Sequence, residues 1–119
     1  MEQELVKANV NGQEIVGVLI KDLHKTYINT LNNHQLIEID TNRYNEYTSY
    51  NDSKGHPIFQ NDTIKFIHPY GENNGVISGK DSNGEWLVGV KFGLLIKFIS
   101  LDKLCNIYNN KKGYQMIVQ

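Results

Sequence analysis

Apolar residues along this chain come in short runs, nearly all bounded by Gly, Asn, Asp or Ser. That punctuation is the pattern of a protein made of many strands and tight turns. Val6-Lys7-Ala8-Asn9-Val10 alternates apolar and polar positions, and Asn11-Gly12 after it is the strongest short hairpin signal available. Glu14–Lys21 is the expected second arm. Its Ile15, Val16, Val18, Leu19 and Ile20 are too continuous for a one-sided strand, which predicts burial on both faces. Lys25–Leu31 and Gln35–Asp40 are expected to pair across Asn32-Asn33-His34, completing an antiparallel meander.

Further along, Thr63–Ile67 reads as a strand, and His68 to Gly75 as a long turn. Val76–Gly79 is a short strand, and Asp81-Ser82-Asn83-Gly84 closes a hairpin onto Glu85–Val90. Gly93 predicts a bend or bulge. Leu94–Ser100 is the most apolar strand, and its Leu94-Leu95-Ile96 and Phe98-Ile99 are too apolar to be exposed. Leu101–Leu104 predicts one helical turn capped by Ser100, Asn106–Tyr108 ends the core, and Tyr114–Val118 is a last strand beyond Gly113. The expected fold class is mainly β. An N-terminal antiparallel meander (residues 1–48) precedes a small SH3-like β-barrel with one short helical turn (within residues 49–119), the barrel running from about Pro57 to Tyr108.

Composition narrows this picture only modestly. A chain of 119 residues with 39% hydrophobic residues suits one folded domain, or two small subdomains sharing a core. No run reaches the ~18 apolar residues that span a bilayer, and the Met1–Glu4 start is acidic and lacks a signal peptide's apolar stretch. The expectation is a cytoplasmic protein with no membrane partner. Cys105 is the single cysteine, and between Leu104 and Ile107 it reads as a buried apolar residue rather than a reactive thiol. The net charge of −1 hides an asymmetry: five bases against nine acids through Thr63 give −4, and seven against four from Ile64 onward give +3. A mildly basic second part suits an anionic partner, but it lacks the strong basic stripe of a typical nucleic-acid binder.

The stretch from Ile37 to Phe66, IEIDTNRYNEYTSYNDSKGHPIFQNDTIKF, carries the densest pattern. Tyr47, Thr48, Asp52, Gly55, Ile58, Phe59 and Asp62 stand at the spacing of a known signature, and Ile37-Glu38-Ile39-Asp40 matches the strand ahead of it. On these residues the chain resembles the YopX family, small proteins encoded by bacteriophages and prophages. The looser likeness of Gln13–Asp22 and Asn106–Asn109 extends it towards both ends. Ser49-Tyr50 stands where the family usually has Gly-Leu, and Gln60-Asn61 where it has Glu-Gly. Asn61 tolerates a left-handed backbone, whereas Ser49 does so less readily. The resemblance implies a phage-type accessory protein that binds host machinery. Physically, Asp52-Ser53-Lys54-Gly55 and Asn61-Asp62 are turn formers and Pro57 suits a strand start, so the signature reads foremost as folding information.

No phosphate loop, dinucleotide fingerprint or nucleophile elbow is present. His24, His34, His56 and His68 fall apart from one another in expected turns, so no metal or cofactor is expected, and no enzyme. Asp40, Asp52 and Asp62 are more readily turn formers than paired catalytic carboxylates. Two binding readings stay open. A host bacterial protein would meet Tyr44, Tyr47, Tyr50 and Trp86, large side chains with a polar handle. Nucleic acid or a nucleotide would meet Lys65, His68, Tyr70, Trp86, Lys91 and Lys97, with Lys65, Lys91 and Lys97 pointing to solvent from barrel strands. A homodimer is a third expectation, a second copy covering an open strand edge near Leu94–Ile99.

Overall fold

The computed structural model describes residues 3–40 and 42–119; Met1 and Glu2, half of the acidic start, lie outside the described residues with Thr41. The protein is mainly β, with antiparallel sheets and one short helix. It divides into two compact units between Tyr47 and Thr48, inside a single strand.

The first unit is a meander of β1 (Leu5–Val10), β2 (Gln13–Lys21), β3 (Thr26–Thr30) and β4 (Leu36–Ile39). They lie in the order β4-β3-β2-β1, and β5 (Asn45–Asn51) joins β1 through Asn45 and Glu46. Asn11 and Gly12 both take positive φ, 53° and 82°, the two-residue turn that matches strand twist. Val6, Ala8, Ile28 and Ile39 form the core, with Ile15, Leu19 and Tyr44 packed against it. Alternation sends Val16, Val18 and Ile20 to the opposite face of β2. The expected two-sided burial of this strand is therefore corrected: its apolar residues are half-buried, and Ile20 is exposed.

In the second unit the end of β5 lies beside β6 (Pro57–Phe59). A five-stranded antiparallel sheet follows, in the order β10-β9-β8-β7-β11. Its strands are β7 (Thr63–His68), β8 (Gly71–Lys80), β9 (Trp86–Phe92), β10 (Leu95–Ser100) and β11 (Gln115–Val118). Among the described residues β10 and β11 are its two ends and do not pair with each other. The long turn expected over His68–Gly75 shrinks to Pro69-Tyr70, because Glu72, Asn73, Asn74 and Gly75 pair with β7. Their polarity hides a strand. A Cβ on Gly75 would lie 2.7 Å from a Val88 methyl and 3.1 Å from the Phe66 ring, so this backbone rests directly on the core.

The helix α1 (Leu101–Tyr108) is twice the single turn that the sequence suggests, and it takes in Asn106–Tyr108. Ser100 caps it by accepting the Lys103 N–H, and Asp102 sits in its first turn, where a negative charge is favoured. Leu101, Leu104 and Cys105 share one face and enter a core with Phe66, Ile77, Trp86, Val88 and Met116. Burial, helped by the nearby Asp102 carboxylate, pushes the Cys105 thiol up to about 11, which leaves it protonated and inert at neutral pH.

The signature residues are built into this unit. Thr48, Asp52, Ile58, Phe59 and Asp62 are all buried. Thr48 Oγ1 donates to the Ile58 carbonyl at 2.8 Å. Asp62 Oδ2 accepts the Phe59 N–H at 2.8 Å and closes the turn at Asn61. Asp52 Oδ1 accepts the N–H groups of Lys54 and His56, and its Oδ2 accepts that of Val118 at 3.1 Å. One carboxylate thus joins a local turn to β11. Burial alone would raise its pKa. The N–H donors of Val118, His56 and Lys54, with the charge of His56, outweigh that and hold it below the ordinary value. Ser49 and Asn61 both take positive φ, 71° and 69°.

Two outcomes are expected. Because the folded-state pKa of Asp52 is depressed, its stabilisation is present above the ordinary value of 3.8 and is lost as pH falls through the lower folded value. Urea midpoints measured down a pH series should fall there, and Asp52→Asn should flatten that part of the curve. Ser49→Gly relieves a left-handed serine at the cost of a looser unfolded chain, and should raise stability by about 0.5–1 kcal/mol in denaturant titrations.

Candidate functional site

The most exposed apolar surface of the second unit belongs to the strand whose sequence is its most apolar. Gly93 (φ 61°) and Leu94 form a two-residue loop between β9 and β10, glycine standing first as a type II′ turn needs. The expected bend at Gly93 is therefore a full reversal. Among the described residues Leu95–Ser100 pairs with β9 alone and ends the sheet. In consequence Leu94 is 101% exposed, Leu95 74%, Ile96 63%, Phe98 58% and Phe92 47%. The expectation that Leu94–Ile99 would be covered is corrected: Ile99 alone is partly buried, because the core ends at Val88 and Val90 and the hairpin runs past it.

Register fixes the two faces of this hairpin. Leu95, Lys97 and Ile99 stand opposite Phe92, Val90 and Val88, whereas Ile96 and Phe98 stand opposite Lys91 and Gly89 on the outer face. Gly89 is the seat of that outer face. A Cβ there would come within 3.2 Å of the Phe98 ring and 3.5 Å of Ile96 Cγ2, so both side chains lie flat on bare backbone. With Val76 they wall a groove of about 400 Å³, with Asn74, Ser78 and Lys91 at its margin. Phe98 also borders a second groove towards α1, with Lys97, Lys103, Leu104 and Ile107. Summed over both faces of the hairpin, these exposed apolar side chains amount to on the order of 600 Å².

The residues singled out in the sequence fall elsewhere for the most part. Tyr44 packs on the first unit's core with Lys21 Nζ 5.7 Å from its ring centre, and Tyr47 is half-buried. Tyr50 and Trp86 come together in a cleft with Lys80, Glu85 and Asp102. Tyr50 Oη donates to Asp102 Oδ1 at 2.9 Å, and that bond, with burial, pushes the phenol up to about 12. Trp86 is 8% exposed and faces the core, with Lys80 Nζ 5.0 Å from its ring centre, so it serves as a core residue rather than an anchor. Lys65 pairs with Glu72 at 3.2 Å. His68 lies between the rings of Tyr70 and Tyr114, with centroids 6.4 and 6.5 Å away, and Lys111 Nζ is 5.1 Å from the Tyr114 ring centre. Lys91 and Lys97 are exposed at the apolar hairpin, but on opposite faces: Lys91 on the outer face as expected, Lys97 on the side that faces the core.

Sequence reasoning missed Leu94, Leu95, Ile96 and Phe98 as surface residues because hydrophobicity alone assigned them to the core, and it passed over Phe92. Two signals pointed the other way: the Gly93-Leu94 pair as a hairpin loop, and Lys97 inside the apolar run. Among the described residues no cluster of His, Cys, Asp and Glu could hold a metal ion, and no helix is long and apolar enough to cross a membrane. No family model, no curated protein and no solved structure matches this chain.

The two kinds of aromatic separate in a stability measurement. Trp86→Ala should cost about 3–5 kcal/mol, as emptying a core site does. Phe98→Ser, at an exposed site, should change the urea-derived stability by less than about 1 kcal/mol.

Proposed function

We propose that this protein is a phage- or prophage-type accessory protein that works without catalysis in the bacterial cytoplasm, binding a host protein and inhibiting or redirecting it. The observation that carries the reading is the open apolar edge of β10, where Ile96 and Phe98 stand exposed on a strand with a free side. An uncovered edge of this kind invites pairing with another chain, and selection normally removes one that has no use. The resemblance of Ile37–Phe66 to the YopX signature supplies the phage setting. The run of β7 to β10 followed by α1 supports a small SH3-like scaffold over residues 57–108, with β10 as its interaction edge.

A second reading has its own support. His68, Tyr70 and Tyr114 gather beside Lys111, and Tyr70 is 92% exposed, a surface on which a nucleotide base could stack. The first is preferred because it uses the larger surface, and because Lys65, one of the cations the second would need, is engaged by Glu72.

The test is affinity capture from a bacterial lysate, with and without nuclease, using the wild type, an Ile96→Asp/Phe98→Asp double variant and Tyr70→Ala. One abundant protein should be retained by the wild type and Tyr70→Ala despite nuclease, and lost by the double variant. Retention that vanishes with nuclease or with Tyr70→Ala would instead select the nucleic-acid reading.

A further inference from the structure

Resting on that reading, the geometry points to the kind of partner: we infer that β10 takes up an extended segment of another protein as an added strand, one whose side chains alternate apolar and acidic. The backbone argument comes first. In a two-residue hairpin the residues flanking the loop, Phe92 and Leu95, form a hydrogen-bonded pair, and so do Val90 with Lys97 and Val88 with Ile99. Ile96 and Phe98 therefore aim their N–H and C=O groups, and Ser100 its N–H, away from β9, along the free edge. A strand that pairs there continues the ladder, and its side chains fall alternately on the two faces of the sheet. On the outer face they meet the exposed flanks of Ile96 and Phe98, a surface for apolar groups. On the other face they meet Leu95 and Lys97.

Charge decides between occupants. Lys97 lies on this edge, Lys103 stands beside it on α1 and Lys91 one strand inboard on β9, and none of the three has an ion-pair partner among the described residues. The acid nearest in sequence, Asp102, is held by Tyr50. A second copy would bring all three lysines of each chain to one seam with no acid to meet them, and like charges across a ladder destabilise it. A polynucleotide would answer the lysines but has no peptide N–H and C=O groups with which to continue the strand ladder. An acidic, apolar strand answers both, with its carboxylates beside Lys97 and at the lysine margins.

The test uses the full-length, isotope-labelled chain and three synthetic probes: a short peptide alternating Val or Ile with Glu, its Lys-for-Glu counterpart, and a single-stranded oligonucleotide of matching charge. Adding the Glu peptide should shift the amides of Ile96, Phe98 and Ser100 before others. The Lys peptide should bind at least about tenfold more weakly, and raised salt should weaken the Glu peptide's binding. Reversing Lys91, Lys97 and Lys103 to Glu should invert the preference between the two peptides. The inference is overturned if the Glu peptide leaves these amides unmoved at about 1 mM, if both peptides bind alike, or if the oligonucleotide moves the same amides. Shifts that grow with protein concentration alone would name a second copy instead and overturn it equally. If the peptides fail while capture of a host protein still depends on Phe98, the acidic strand falls and the protein-binding reading stands. If capture is also indifferent to Phe98, both fall.

Discussion

The Asp52 carboxylate holds the second unit to its plan. It gathers three backbone N–H groups that have no ladder partner at that point: two from its own turn, at Lys54 and His56, and one from Val118 on the last strand. Charge-assisted bonds of this kind are about twice as strong as neutral ones, and the carboxylate that accepts them is buried, so these donors are what stands in for its water. Because β11 reaches β7 through four paired residues only, the tie at Val118 helps fix where that strand lies.

From there outward the unit grows more open. Core packing is dense around Phe66, Ile77 and Val88 and thins along β9 until the hairpin beyond Val90 has no layer beneath it. An apolar edge of this length is ordinarily an aggregation hazard. Lys97 in the middle of β10 and Lys91 opposite Ile96 moderate it, since stacking identical edges would stack their charges. The same lysines that discourage self-pairing give the edge a preference among other strands. Protection and recognition are two effects of one arrangement.

Much of this was legible in the sequence. Turn chemistry located Asn11-Gly12, Asn32–His34 and Asp81–Gly84, and the meander of the first unit followed from alternation. What failed did so for identifiable reasons. Glu72–Gly75 looks like a loop because Asn and Gly are poor strand formers, yet its pairing with β7 and the lack of room above Gly75 override propensity. α1 outran its expected turn because Asn106 and Ile107 lie on its exposed side, where a helix needs no apolar periodicity. The candidate site was only faintly legible, through Gly93-Leu94 and Lys97, because exposure of β10 is a property of strand order: a run of Leu, Ile and Phe reads the same at the centre of a sheet as at its end. Trp86 was overvalued as an anchor for the converse reason, since residue type cannot say which face of β9 it occupies.

The dependence of Asp52 on Val118 also orders events in time. β11 is synthesised after every other element of its unit, so the turn at residues 52–56 waits for its third donor through the making of some sixty intervening residues. The first unit has all its own strands long before that. During translation the meander can therefore settle while the rest of the chain stays unfinished. A ribosome stalled late in the second unit, before β11 is made, would hold a completed first unit and a turn at residues 52–56 that still lacks its Val118 donor, the moment at which a quality-control protease or a chaperone has most to recognise.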